Sequence, residues 1–407
     1  MKKWGQQAVL ALLGVFLSLV MIEAVLRTFY PQYGGKPGQF HPVLGVSLIP
    51  NYDGIYIWQG RESVTHIRTN SLGFRDSEVQ IPKPENVFRI LVLGDSMAFG
   101  IGVEEKEAFP KVLEEMLNDN AKAGGVRFEV LNAGVPGYGT AQELLQYQLC
   151  GRQLNPDLVI LAFVVTNDLL DNLCIDQILP DRTFVHANPT KPCFALRNGE
   201  LIEVHSPQRP RDTPDRRKLF SSAETLHTWV FFHSRVKNIL TSNVKVIELA
   251  SNLGIDLRAP YVPGTFSWYM EECGEGWSLT EELLDHLKEK ITDDGSRLVV
   301  VVLPSRPQTT GRYLRLTQLL FANFEETAEF LTDSTRPQDL LMNWGEKERV
   351  PVLDCLPGIG EAASTRPLNL QDGHFNAAGH RVITRLIYNY LTQNKLILHE
   401  ETSSADP

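Results

Sequence analysis

Metal-ligand spacing is missing from this chain. Its five cysteines, Cys150, Cys174, Cys193, Cys273 and Cys355, form no C-x-x-C pair and have no histidine at ligand spacing, which argues against a zinc site; no metal or other cofactor is expected. Lys and Arg number 39 against 49 Asp and Glu, for a net charge of −10, and they form no stripe along the chain. Phosphate backbones need clustered cations, so nucleic acid is not an expected partner. Nor is the chain short of apolar residues: with 43% hydrophobic and 22% charged over 407 residues it must fold, as one large α/β domain with insertions or one domain plus a smaller one. Long hydrophobic runs are scarce, and the one exception is at the N-terminus. After Lys2 and Lys3 the run from Ala8 to Leu26 is interrupted only at Glu23, close to the roughly 20 residues that span a bilayer. A cleaved signal peptide is the competing reading, but no convincing small-x-small cleavage site follows the run. We therefore expect residues 1–30 to be an uncleaved anchor. Lys2 and Lys3 outweigh Arg27, which puts the N-terminus in the cytoplasm and the rest outside, in an oxidising compartment.

Residues 31–87 read as a Pro- and Gly-rich stalk leading into a β-hairpin, with Tyr52 to Thr69 alternating and Asn70-Ser71-Leu72-Gly73 supplying turn residues. From residue 88 strands alternate with helices. Ile90 to Leu93, Phe128 to Asn132, Leu158 to Val165, Arg297 to Leu303 and Val350 to Leu353 read as strands. Phe109 to Leu117, Ala141 to Leu149, Leu226 to Leu253, Thr280 to Lys290, Tyr313 to Thr332 and Ala377 to Gln393 read as helices. That alternation predicts a parallel sheet with helices on both faces. Between about 172 and 290 the pattern is interrupted, and an insertion over the sheet edge is expected there. Cys174 and Cys193 flank its irregular first part and are the pair expected to bridge, since the compartment permits it. Residues 399–407 are polar and expected to be disordered.

Four stretches at strand ends carry side chains suited to chemistry. Arg89 to Leu93 stops abruptly at Gly94-Asp95-Ser96, so Ser96 sits on a strand-to-helix turn at the sheet edge where ligands bind. Asp95 and Ser96 could equally be helix caps. Asn132-Ala133-Gly134-Val135-Pro136-Gly137 is a glycine-rich turn whose backbone can approach a ligand. Asn167-Asp168 follows the third strand, and Asp372-Gly373-His374 precedes the last helix. A lone histidine is more often structural. His380 is a rival to His374, but the helical pattern around it puts it inside the closing helix; Asp354, at the end of the last strand, is the rival to Asp372.

Taken in order, these four blocks resemble the SGNH (GDSL-type) hydrolase superfamily, over roughly residues 88–170 and 297–394. The resemblance implies a flavodoxin-like three-layer α/β/α sandwich and serine-dependent hydrolysis or transfer of acyl esters. It implies Ser96 as nucleophile, His374 as base and Asp372 as the carboxylate that orients it. The oxyanion donors would be the Ser96 and Gly137 N–H groups and the Asn167 side chain. The chemistry of the residues agrees, because a serine needs a base to become nucleophilic and the tetrahedral intermediate needs preorganised donors. The α/β-hydrolase elbow Gly-x-Ser-x-Gly is not present, since Ala98 occupies its last position. The family usually spaces its Asp three residues before the His, whereas here the spacing is two; some membrane-linked carbohydrate acyl-transfer branches look similar in this. Three functions follow as expectations: an extracytoplasmic, membrane-anchored esterase or deacetylase acting on acylated carbohydrate or lipid, an O-acyltransferase modifying an envelope polysaccharide, or a catalytically silent carbohydrate-binding protein on the same fold.

Overall fold

The computed structural model describes residues 37–57, 64–121, 126–178, 184–186, 191–208, 264–311, 325–370 and 372–397, with isolated positions in 7–21 and 314–318. Five strands make the central sheet: β1 (Val87–Gly94), β2 (Arg127–Asn132), β3 (Leu158–Val164), β4 (Arg297–Leu303) and β5 (Val352–Asp354). Their order is β2-β1-β3-β4-β5, and every pairing is parallel. This is the doubly wound 2-1-3-4-5 order of flavodoxin-like sheets.

Both faces of the sheet are buried, which is why its strands read as unbroken apolar runs. Side chains alternate between the faces. Leu91, Leu93, Val159, Leu161, Phe163, Val300 and Val302 join one core with α2 (Thr140–Gln146), α3 (Glu275–Asp293) and α4 (Arg336–Glu348). Ile90, Val92, Leu158, Ile160, Ala162, Val299 and Val301 join the other, with α1 (Phe109–Asp119), α5 (Leu356–Thr365) and α6 (Ala377–Gln393). Helix α3, inside the span read as insertion, thus serves as a crossover helix, burying Leu283, Leu284, Leu287 and Ile291.

The register lines the strand ends up on one edge, with Gly94 opposite Ala162, Leu303 opposite Val164 and Val302 opposite Asp354. From β1 the chain goes to β2 on one side and then returns past β1 to β3 on the other, so the switch point, and with it the cleft, lies at the carboxyl ends of β1 and β3. Ser96 and Asn167 follow those two strands.

Two antiparallel hairpins precede the sheet, Gly38–His41 with Gly45–Leu48 and Asp53–Ile57 with Val64–Arg68. Leu44, Leu48, Tyr56 and Ile67 pack onto Phe99, Ile101, Val135 and Tyr138, all from the loops after β1 and β2. The hairpins therefore brace the carboxyl edge of the sheet.

The region after residue 172 also differs from an irregular loop. It holds the pairs Ile175–Ile178 with Phe184–His186 and Cys193–Arg197 with Glu200–His205. Each pair contains a register shift, and a bulge breaks the two-residue alternation by which a strand is read. Cys174 and Cys193 are bridged. The helix expected at 226–253 and the tail at 399–407 lie outside the described residues, as does most of the expected anchor at 8–26. Among the described residues no helix is long and apolar enough to cross a membrane.

Candidate active site

Asp95 and Ser96 perform both tasks their positions allow. Asp95 caps the short helix Ser96–Phe99, accepting a hydrogen bond from the Met97 N–H at 2.7 Å. With the cap taken by its neighbour, Ser96 is left to face the cleft: its hydroxyl lies 2.9 Å from His374 Nε2. His374 Nδ1 lies 2.7 Å from Asp372 Oδ2. The other Asp372 oxygen accepts the His374 backbone N–H at 3.1 Å. One carboxylate therefore holds both the ring and the backbone of the histidine, and the two-residue spacing suffices because Gly373 adopts a φ of 105°. With the Nδ1 proton donated to Asp372, Nε2 is free to accept from Ser96.

The rivals are placed elsewhere. His380 lies buried in α6, where Nδ1 accepts the Phe109 N–H at 3.2 Å. Burial, reinforced by the charges of Arg75 and His374, pushes its pKa down to about 3, so it stays neutral as a structural acceptor. Asp354 accepts the N–H of Leu356, the first residue of α5, at 2.8 Å.

The second block is held against the turn that carries Ser96. A Cβ on Gly134 would sit 2.4 Å from the Phe99 nitrogen, so only glycine permits this approach. Val135 N–H donates to the Gly94 carbonyl at 3.0 Å. Gly137, at φ 82°, is exposed at the crest of the same loop.

Asn167 is brought to Asp95, the neighbour of Ser96. Its Nδ2 donates to Asp95 Oδ2 at 3.0 Å and to Asp171 Oδ2 at 2.8 Å. The amide is thus fixed beside Ser96, but its N–H groups are directed at two carboxylates. Lys191, two residues before the bridged Cys193, forms an ion pair with Asp171. Hydrogen bonds thus run from the stapled insertion to Asp95. Burial pushes the Asp95 carboxyl up to about 6, although the bonds from Met97 and Asn167 favour its charge. Burial and mutual repulsion also raise Glu143 and Asp168 well above the ordinary range.

Arg75 was not marked by any spacing or periodicity; its only trace in the sequence is a cation set directly after an apolar turn residue, Phe74. It is fully buried, and its guanidinium donates to the carbonyls of Phe99 at 2.9 Å, Gly100 at 2.7 Å and Val103 at 2.8 Å. It therefore clamps the segment that follows Ser96. Asp76 beside it accepts the Asn132 N–H at 2.9 Å and pairs with Lys111 at 2.8 Å. Among the described residues no cluster of three or more His, Cys, Asp or Glu is arranged to hold a metal.

No family model and no curated protein matches the chain. Among solved structures, TesA is similar at 10% identity over 75% of this chain and 98% of that one, with a TM-score of 0.35. A catalytic mutant of Axe2, an acetylxylan esterase from Geobacillus stearothermophilus, is similar at 10% identity over 74% and 93%, with a TM-score of 0.37. A lipase/acylhydrolase from Enterococcus faecalis is similar at 13% identity over 75% and 96%, with a TM-score of 0.34. At such scores these likenesses decide nothing about the chemistry.

Proposed function

We propose that this chain is a serine-dependent hydrolase of acyl esters, of the SGNH type. The observation that carries the reading is the continuous hydrogen-bonded line from the Ser96 hydroxyl through the His374 ring to Asp372, at 2.9 and 2.7 Å. As Ser96 Oγ bonds to the ester carbonyl carbon, its proton passes to His374 Nε2, and Asp372 stabilises the imidazolium. Collapse of the tetrahedral intermediate breaks the ester C–O bond, and the leaving alkoxide takes that proton from Nε2. A water then attacks the acyl-enzyme, gives its proton to the same nitrogen, and frees the acid and the Ser96 hydroxyl. The developing oxyanion would be met by the N–H groups of Ser96 and Gly137, and by the Asn167 amide if it turns from Asp95.

The extracytoplasmic, anchored setting belongs to the same proposal. Two features support it: the Cys174–Cys193 bridge, of a kind that persists in oxidising compartments, and the exposed apolar positions Leu13, Phe16, Leu17, Val20 and Met21 in helical conformation within the N-terminal run. A reporter active only outside the cytoplasm, fused after Pro407, should function; activity of a cytoplasmic reporter alone would refute this topology.

A fluorophosphonate probe tests the chemistry. It should label the native chain at Ser96 and leave Ser96→Ala unlabelled, and the native chain should hydrolyse p-nitrophenyl acetate. Equal labelling of the two proteins would sink the reading.

A further inference from the structure

Two adjoining cavities are not used by the catalytic reading. The first, of about 330 Å³, is lined by Arg306, Thr310, Ser364, Arg366 and Asn369 among others. The second, of about 440 Å³, shares Arg366 and adds Arg385 and Glu361. Each falls within the roughly 300–1,000 Å³ of small-molecule sites.

The first cavity borders the loop that carries the base. Arg306 comes three residues after the end of β4, on the edge of the sheet where Ser96 lies. Asn369 Nδ2 donates to the Gly373 carbonyl at 2.8 Å, and the Leu370 N–H donates to the His374 carbonyl at 2.7 Å. The segment lining the cavity is therefore hydrogen-bonded directly to the Asp372–His374 turn.

The charge of this trough runs against that of the molecule. Three arginines and one glutamate line the two cavities, in a chain whose net charge is −10. A guanidinium offers a planar fork of donors that matches a carboxylate or phosphate bidentately. The hydroxyls of Thr310 and Ser364 and the Asn369 amide provide hydrogen-bonding groups of the kind that meet sugar hydroxyls. Ala363, Pro367 and Leu368 also line the first cavity, where these polar groups interrupt the apolar surface.

We propose that this trough binds an oxyanion, the carboxylate or phosphate of a charged saccharide, beside the acyl ester that Ser96 attacks. The second half of that statement rests on the esterase reading; the first does not.

Binding and turnover separate the two. Calorimetric titration of the full-length Ser96→Ala chain with an oligogalacturonate, a poly(glycerol phosphate) oligomer and a neutral xylo-oligosaccharide of equal length should show at least one anionic ligand bound more tightly, with affinity that falls as salt rises. Which of the two anions binds better identifies the source of the charge. Arg306→Ala with Arg366→Ala should weaken anion binding on the order of tenfold or more, and the paired Lys variants should lose part of it, since they keep the charge and lose the fork. Circular dichroism checks that each variant is folded. In the Ser96 protein, the ratio of kcat/KM on an acetylated oligogalacturonate to that on an acetylated xylo-oligosaccharide should fall by a similar factor in the Ala pair. Equal binding of anionic and neutral ligands, or unchanged anion binding in the folded Ala pair, overturns the proposal. Anion binding without ester turnover would instead remove the esterase reading and leave the subsite standing.

Discussion

The distances of 2.9 and 2.7 Å along Ser96, His374 and Asp372 make these side chains one unit, and a unit fails as a whole. Ser96→Ala and His374→Ala should therefore lower kcat by about the same factor, and the double variant should be no worse than either. His380→Ala should behave differently. It removes an acceptor from the buried Phe109 N–H, costing on the order of 1–3 kcal/mol of stability while the folded fraction keeps its turnover. A steady-state assay paired with urea melts distinguishes them, and near-normal turnover in His374→Ala would break the assignment of the base. Asn167→Ala should cost on the order of 10² to 10³ in kcat if its amide serves the oxyanion. Ser96, Asp372 and His374 were legible in the sequence because each sits in a short polar motif beside a regular element, Ser96 at the end of an apolar strand and the other two just before the closing helix. Arg75 was not, because its three shortest bonds go to the carbonyls of Phe99, Gly100 and Val103, more than twenty residues away in sequence, and backbone acceptors leave no compositional mark.

At the scale of elements, the buried strands were easy to read and the insertion was not. A strand covered on both faces needs apolar residues throughout, so β1, β3 and β4 stand out as runs. Helices α4 and α5 escaped the same reading because Pro337, and Pro357 with Gly358 and Gly360, look like helix breakers. In the structure each proline lies in the first turn, where its missing N–H has no helical partner to lose. Arg75 also shows how the elements depend on one another, since it ties the hairpin module to the turn after Ser96. Arg75→Ala should leave the carbonyls of Phe99, Gly100, Val103 and His66 without this donor, destabilise the chain by about 3 kcal/mol and reduce turnover of what remains folded. A melt showing no loss would mean that the hairpins do not brace the site. The bridge between Cys174 and Cys193 spans 19 residues, worth roughly 3 kcal/mol in the chain-entropy model. Its loss should also loosen Lys191 from Asp171, so Cys193→Ser is expected to lower both the melting temperature and kcat.

The molecule as a whole carries an electrostatic cost beneath Ser96 that shows as pH dependence. Asp95, Glu143 and Asp168 are fully buried and near enough to repel one another, and burial raises all three. An acid raised in the folded state contributes stability below its unfolded pKa and loses it as pH climbs through the folded value. For Asp95 that window runs from 3.8 to about 6; for Glu143 and Asp168 the loss begins at 4.5 and 3.8 and continues to higher pH. His380 acts in the opposite sense. Its pKa is lowered from 6.5 to about 3, so its contribution is complete above 6.5 and is lost as pH falls toward 3. The limbs overlap in mildly acidic solution, and the melting temperature of the native chain alone cannot separate them. Glu143→Gln can, because it keeps the side chain's shape and removes the ionisation at a position where neither carboxyl oxygen meets a hydrogen-bond partner among the described residues, while the effect of the amide N–H groups it brings is the same at every pH. Relative to the native chain, the variant should gain a few degrees in melting temperature between pH 5 and pH 8, because over that range the native protein must either hold a proton on Glu143 that the unfolded chain releases or bury its charge. A difference between the two melting temperatures that stays constant from pH 5 to pH 8 would show that Glu143 ionises at no cost, and that the repulsion beneath Ser96 lies with Asp95 and Asp168 alone.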